Sequence, residues 1–402
     1  MTLPTNEAEN RGPLKGVRVI EMGQLIAGPF CGQLLGDFGA DVVKIEAPGQ
    51  GDPMRQWGQP GYPLFWEILA RNKRAVSLNL RVAEGQALAR RLIAQADIVI
   101  ENFRPGTLEG WNLSPERLQA DNPGLIIVRV SGYGQNGPYA GRAGFGGIGE
   151  AMGGWRHIVG DADRAPSRMG VSIGDSLAAT FGCLGALAAL RHRDATGQGQ
   201  VIDSSLFESV LHVMESLAPD YAVAGHIRER SGSILPGVAP SNVYRCKDGD
   251  YLIAANQDSV FQRLCEAMGR PELASDPHFA THAARGQRQG ELDALIEAWT
   301  TARSVDEVET TMVEAGVPAG RIYRAPEMLA DPHFKARESL IDVDHPRWGR
   351  MPMQNAFPKL SQTPGSVRRV APQSVGQDNE GVLAEVGVGP GELAALAAAG
   401  VI

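Results

Sequence analysis

The sequence predicts an α/β protein: a large Rossmann-like domain on a parallel sheet, plus a smaller α+β domain. Three observations support that prediction. Short β-branched runs alternate with helical stretches through the first half of the 402 residues. Glycine-containing turns follow those runs. In the second half, a hairpin pattern is followed by several helices in succession. The expected division is a tail over 1–13, a large domain over 14–227, a small domain over 228–325 and a C-terminal segment, 326–402, returning to the large domain.

Taken in order, Val17 to Glu21 reads as a buried strand, Pro29 to Asp37 as a helix with Pro in its first turn, and Asp41 to Glu46 as a second strand. The pattern recurs with a strand over Val76 to Asn79, a helix over Ala83 to Gln95 and strands over Asp97 to Glu101 and Leu125 to Val130. Such alternation places ligands beyond the carboxyl ends of the strands. The turn Gly23 to Gly28 lacks the glycine spacing of a dinucleotide fingerprint, which argues against a nicotinamide or flavin dehydrogenase. The apolar run Leu177 to Leu190 reads as a core helix, too short and too rich in Ala and Gly to span a bilayer. A strand over Gln200 to Leu206 and a helix over Phe207 to Ala224 follow, then a Gly/Pro loop, 228–240, read either as a cover for the site or as a linker. The small domain opens with a hairpin, Asn242 to Cys246 and Tyr251 to Ala255. Helices come next at Asp258 to Met268, Gln287 to Thr300 and Val305 to Ala315, the last with the capping-box pair Ser304 and Glu307. Asp-Pro-His-Phe at 276 and 331 reads as two helix starts. From Ala325 the chain reads as irregular until a final helix, Gly391 to Ala399.

Composition narrows the function classes. A net charge of -8 and a pI near 5.6 give no footprint for nucleic acid or an anionic membrane, so any phosphate site is local. The four cysteines, 31, 183, 246 and 265, show neither metal-ligand spacing nor a paired framework. With a polar N-terminus unlike a signal peptide, this pattern predicts a cytoplasmic, soluble protein without a metal or redox cofactor.

Two features carry chemistry. In Gly170-Val171-Ser172-Ile173-Gly174-Asp175, a glycine-containing turn delivers a carboxylate onto the first turn of the apolar helix, where the helix dipole favours its ionised form. Asp175 reads either as a covalent nucleophile or as a helix N-cap. The second feature is a set of basic residues at strand ends and loops, Lys44, Arg71, Lys73, Arg74, Arg104 and Arg142, with Phe103 offering a face for a purine. Repeated in an acidic chain, that placement predicts a polyanionic ligand.

Taken together, Ala27-Gly28-Pro29, Gly39 to Glu46, Asn72-Lys73-Arg74, Glu101 to Gly106, Gly132 to Gln135 and Gly174-Asp175 resemble the class III coenzyme A transferases, the formyl-CoA and carnitine CoA-transferase family. The resemblance runs from about Leu14 to Ile402. It implies an intertwined homodimer and an acyl-CoA:carboxylate CoA-transferase acting through a covalent aspartyl-CoA, with Asp175 as the carrier. It also implies CoA contacts at Gln24, Leu25, Ile26, Ala27, Asn72, Lys73, Arg74, Leu78, Asn102, Phe103, Arg104 and Arg142, with acyl-CoA and a small carboxylic acid as partners. Three departures from the formyl-CoA transferase pattern stand out. They are Gly110 in place of a basic residue, Ala47-Pro48 in place of arginines, and no run of glycines near 228–240. The alternatives are an alpha-methylacyl-CoA racemase type, whose His-Asp pair is replaced here by Phe145-Gly146, and a non-catalytic CoA-binding protein. For the acyl group a dicarboxylate is expected, its distal carboxylate held by Arg142, Arg168 or Arg230, with succinyl-CoA as donor.

Overall fold

The computed structural model describes residues 10–402, so only the last residues of the expected N-terminal tail fall within it. Six strands pair in parallel: β1 (Arg18–Glu21), β2 (Asp41–Glu46), β3 (Lys73–Ser77), β4 (Ile98–Glu101), β5 (Ile126–Ser131) and β6 (Val201–Ser205). Their order is β3-β2-β1-β4-β5-β6. Successive strand residues point to opposite faces, and the apolar pairs divide accordingly. Ile20, Val43, Val99 and Ile127 enter one core with the helix Ala83–Ile93, whereas Val19, Val42, Ile98, Ile100 and Val128 enter the other. Each fully buried Val or Ile contributes roughly 1.5–3 kcal/mol, which is why these runs lack the alternating polar residues of a one-sided sheet.

Connectivity decides where the site lies. Strand order reverses between β1 and β4, so the turns leaving those two strands flank a crevice at the carboxyl edge. The helix Ala27–Asp37 leaves β1 at that edge, and the long helix Ile173–Thr196 runs back to the start of β6. Both helices therefore point their N-termini at the same edge, and Ala27 and Ala178 share one apolar cluster.

The chain divides into two compact units: one runs up to Trp155, then Met169–Ser216 and Lys335–Ile402, and the other comprises Arg156–Arg168 and Leu217–Phe334. The second unit has an antiparallel sheet of β7 (Ser241–Arg245), β8 (Asp250–Ala254) and β9 (Ala319–Arg321). Helices Asp258–Ala267, Gln289–Thr300 and Val305–Glu314 cover it. The capping box forms: Ser304 accepts from the Glu307 N–H, and the Glu307 carboxylate accepts from the Ser304 N–H.

Several elements differ from expectation. β3 begins three residues early, because Lys73 enters the sheet with its whole side chain buried. The single helix expected over 207–224 breaks into Leu206–Leu211 and Leu217–Ala224, with Glu215 at φ 52 between them and the unit boundary beside it. The Asp-Pro-His-Phe at 331 opens a helix, Pro332–Ala336, but that at 276 is a turn. The stretch after Ala325 holds a hairpin, β10 (Leu340–His345) and β11 (Gly349–Gln354), which buries Val343, Met351 and Met353 on alternate positions. The apolar run inside the long helix understated it. At 24 residues the helix is long and apolar enough to cross a membrane, so packing against the sheet, not length, marks it as a core helix.

Candidate active site

Asp175 is the third residue of the long helix, and Ser172 occupies the cap position, so the N-cap reading of Asp175 does not hold. In the first turn the carboxylate meets the positive end of the helix dipole. It also lies directly on Gly146, the first residue of the short helix Gly146–Met152. A Cβ at position 146 would stand 2.1 Å from Asp175 Oδ2 and 2.8 Å from its Cγ. Gly174 is pressed against the same helix, where a Cβ would lie 2.9 Å from the Gly146 carbonyl oxygen. Glycine at both positions is thus a packing requirement set by the carboxylate and its neighbouring backbone.

The crevice between β1 and β4 is built from two interlocked turns. Asn102, after β4, pairs with the backbone of Gln24, after β1. Its Oδ1 accepts from the Gln24 N–H at 2.8 Å and its Nδ2 donates to the Gln24 carbonyl at 2.9 Å. Leu25 adopts φ 63 and donates its N–H to Asp52 Oδ1 at 3.1 Å. Ile26 and Ala27 are buried at the head of the first helix. Phe103 is half-buried edge-on to Trp111, with ring centroids 5.0 Å apart, and its N–H donates to Glu101 Oε2. Gln24, Leu25, Ile26, Ala27, Asn102 and Phe103 are thereby brought together at the crevice.

The basic residues behave differently. Lys73 is fully buried, its ammonium 2.6 Å from Glu21 Oε2 and 2.7 Å from the Pro29 carbonyl. Lys44, also buried, reaches Glu21 Oε1, Asp52 Oδ2 and the Gly23 carbonyl at 2.9, 2.8 and 2.7 Å. Arg71 is held by Asp37, and Arg74 is paired with Asp41 and Glu385. Asn72, at φ 61, donates to Asp37 and to the Ser366 carbonyl, and Leu78 is buried in the core. Only Lys73 of these reaches beneath the crevice; Asn72 and Arg74 are paired at the amino ends of β2 and β3, and Leu78 lies in the core. Arg104 and Arg142 remain: both are exposed, and neither has an ion-pair partner among the described residues. Arg142 lies over the Tyr139 ring, 3.6 Å from its centroid.

Acids account for the difference. Glu21, Glu46 and Glu101 each end a strand, and each is buried against a cation: Lys44 and Lys73, Arg55, and Arg129 respectively. Burial would lower the Lys44 ammonium, yet Glu21, Asp52 and Glu46 hold it above the ordinary lysine range. Lys73 is held below that range by burial, with Lys44 adding to it and Glu21 and Asp52 opposing. Burial pushes Glu101 up to about 7 against the opposing pull of Arg129 and the Phe103 N–H. Counting basic residues at strand ends missed these partners. The signal was in the sequence, as three strands each end in Glu.

The second unit holds the other residues considered. Arg168 and Arg230 belong to it, and Arg230 donates to the carbonyls of His157 and Asp161. His157, shortly after Gly146 in sequence, is exposed with Nε2 3.2 Å from Glu229. The loop 228–240 is strapped to its own unit. Gly232 donates to the Gly160 carbonyl, Ser233 to Asn242, and fully buried Arg285 to the Ala239 carbonyl.

Fold and site together define a doubly wound α/β enzyme, with a crevice at its switch point and a carboxylate at a helix head beside the same sheet edge. The chain belongs to CoA-transferase family III, whose family model matches residues 14–379, and it is a CoA-transferase. It is 57% identical over 395 residues to the succinyl-CoA–D-citramalate CoA-transferase of Chloroflexus aurantiacus, covering 97% of this chain and 98% of that protein. The succinyl-CoA–L-malate CoA-transferase alpha subunit of the same organism is 42% identical over 366 residues, covering 90% and 86%. A crystal structure of a CaiB/BaiF family protein from Brucella suis superposes with a TM-score of 0.83 at 36% identity, covering 93% of this chain and 99% of that one.

Proposed function

We propose that the enzyme moves CoA from succinyl-CoA to a short dicarboxylate of the citramalate class, with Asp175 as the covalent carrier. The observation that carries this reading is the seat of Asp175: a half-buried carboxylate on a helix head, packed against a glycine at a position with no room for a Cβ. The Asp175 carboxylate attacks the succinyl thioester carbonyl, giving a mixed anhydride and releasing the CoA thiolate. That thiolate attacks the aspartyl carbonyl, forming aspartyl-CoA and freeing succinate. The acceptor carboxylate then attacks aspartyl-CoA, and the returning thiolate takes the acceptor acyl group and regenerates Asp175. Each tetrahedral oxyanion needs fixed donors, and the N–H groups at the head of the short helix, from Gly146, are the ones we assign. The CoA itself lies over the Gln24–Ala27 and Asn102–Phe103 turns, with Arg104 on its phosphates. The D-citramalate and L-malate activities of the relatives support the acyl assignment. Exposed Phe145 stands where a racemase has its histidine, leaving proton abstraction without a second base.

A second copy of the chain covers the outer face of the long helix. Leu184 and Leu187 there, with Val201, Leu211 and Val213, are exposed large apolar side chains. Sedimentation of a monomer at working concentration would rule this out. The reaction is tested by incubating the enzyme with succinyl-CoA and hydroxylamine and locating the hydroxamate by mass spectrometry; an active preparation with Asp175 unmodified excludes the covalent role. A panel of citramalate, malate, glutarate, oxalate and carnitine tests the acceptor, and the absence of turnover with every dicarboxylate excludes that assignment.

A further inference from the structure

We propose that Glu21, Lys44, Lys73 and Asp52 form a buried clamp that sets the shape of the Gly23–Pro29 turn, making them positioning residues for CoA. The inference rests on the CoA reading above. All four side chains are almost completely buried. A buried ion cluster of this kind adds little stability over apolar packing of equal volume. Its distinguishing property here is where the charges end. Glu21 bridges the two ammonium groups, and each ammonium then reaches a carbonyl of the turn: Lys44 that of Gly23, Lys73 that of Pro29. Asp52, held by Lys44, takes the N–H of Leu25 between them.

Leucine at φ 63 is an unfavourable conformation that persists only where the surroundings over-determine it, and Asp52 supplies that determination. Asn102 fixes the remaining residue, Gln24. The first helix holds the turn from Ala27 onward, and side chains define Gly23 to Leu25 before it. Gly32 admits the clamp beneath the first helix, since a Cβ there would stand 2.0 Å from Glu21 Oε2.

The test compares Asp52→Ala, which removes the acceptor for the Leu25 N–H, with Asp52→Asn, which keeps an oxygen there. Calorimetry with CoA alone is run beside steady-state kinetics. The expected result for Asp52→Ala is CoA binding and acyl-CoA KM weakened at least tenfold, while kcat and the acceptor-acid KM change less than threefold. Asp52→Asn recovers most of the loss. Folded Asp52→Ala that binds CoA within twofold of wild type overturns the clamp, as does equal loss for both substrates. Should Asp52→Ala not fold, Lys73→Met, which releases the Pro29 carbonyl, is held to the same criteria. Wild-type enzyme that fails to bind CoA overturns the underlying reading and the clamp with it, a result distinct from a variant that binds normally.

Discussion

Replacing Gly146 with Ala tests the seat of the nucleophile most directly. The added methyl would stand 2.1 Å from Asp175 Oδ2 and 3.3 Å from Oδ1. Carbon–oxygen contact needs about 3.2 Å or more, so the carboxylate must swing by about 1 Å. A displacement of that size from a near-attack position costs about 100-fold in rate, or about 2.7 kcal/mol of barrier. Stability is expected to change little, because the helix propensity of Ala over Gly, at most about 1 kcal/mol, opposes the strain of displacing Asp175. The expected phenotype is therefore a folded protein with kcat down about 100-fold, acyl-CoA KM little changed, and hydroxamate formation at Asp175 slowed in parallel. Gly141→Ala is the control, since nothing lies within 4 Å of a Cβ there. Gly146→Ala with kcat within threefold of wild type, in a preparation where Gly141→Ala is normal, would refute the packing argument.

Three further outcomes follow from the geometry. Arg104→Gln is expected to raise the acyl-CoA KM about tenfold and flatten its dependence on salt, because this exposed guanidinium is not neutralised by a neighbouring acid; kinetics across a salt series checks it. Glu101, raised from 4.5 to about 7, favours the folded state fully below pH 4.5, and that contribution is lost as pH rises to about 7. Denaturant titrations of Glu101→Gln across that window should show a dependence on pH altered by about 3 kcal/mol, and an unchanged slope would contradict it. Arg285→Met leaves the carbonyls of Ala239 and Phe279 unpaired in the small unit and removes the ion pair with Asp258. Unfolding followed by tryptophan fluorescence should report a loss of about 3–5 kcal/mol.

Much of this molecule is determined locally, and that part was legible in the chain. Val-Val, Ile-Val-Ile and Ile-Ile-Val runs have two buried faces wherever they sit, so they specify a parallel sheet without reference to any partner. The Ser304–Glu307 capping box and the glycine turn before Asp175 are likewise complete within a few residues. The two halves of the β10–β11 hairpin went unread because they hold few β-branched or aromatic residues and β11 carries Pro352 in its interior, which reads against a strand.

Tertiary structure decided what the charges do. Lys44 and Lys73 look like ligand groups in sequence, but Glu21, 23 and 52 residues away, takes both, because a buried ammonium must find a carboxylate or give up its proton. The direct contact of Asp175 with Gly146 was also the work of tertiary structure, since Gly146 lies 29 residues upstream and only the packing of two helices brings it under the carboxylate. Local pattern determined the scaffold and put an aspartate on a helix head. Long-range burial decided which cations were left for a ligand and what that aspartate touches, because both depend on partners that no sequence window contains.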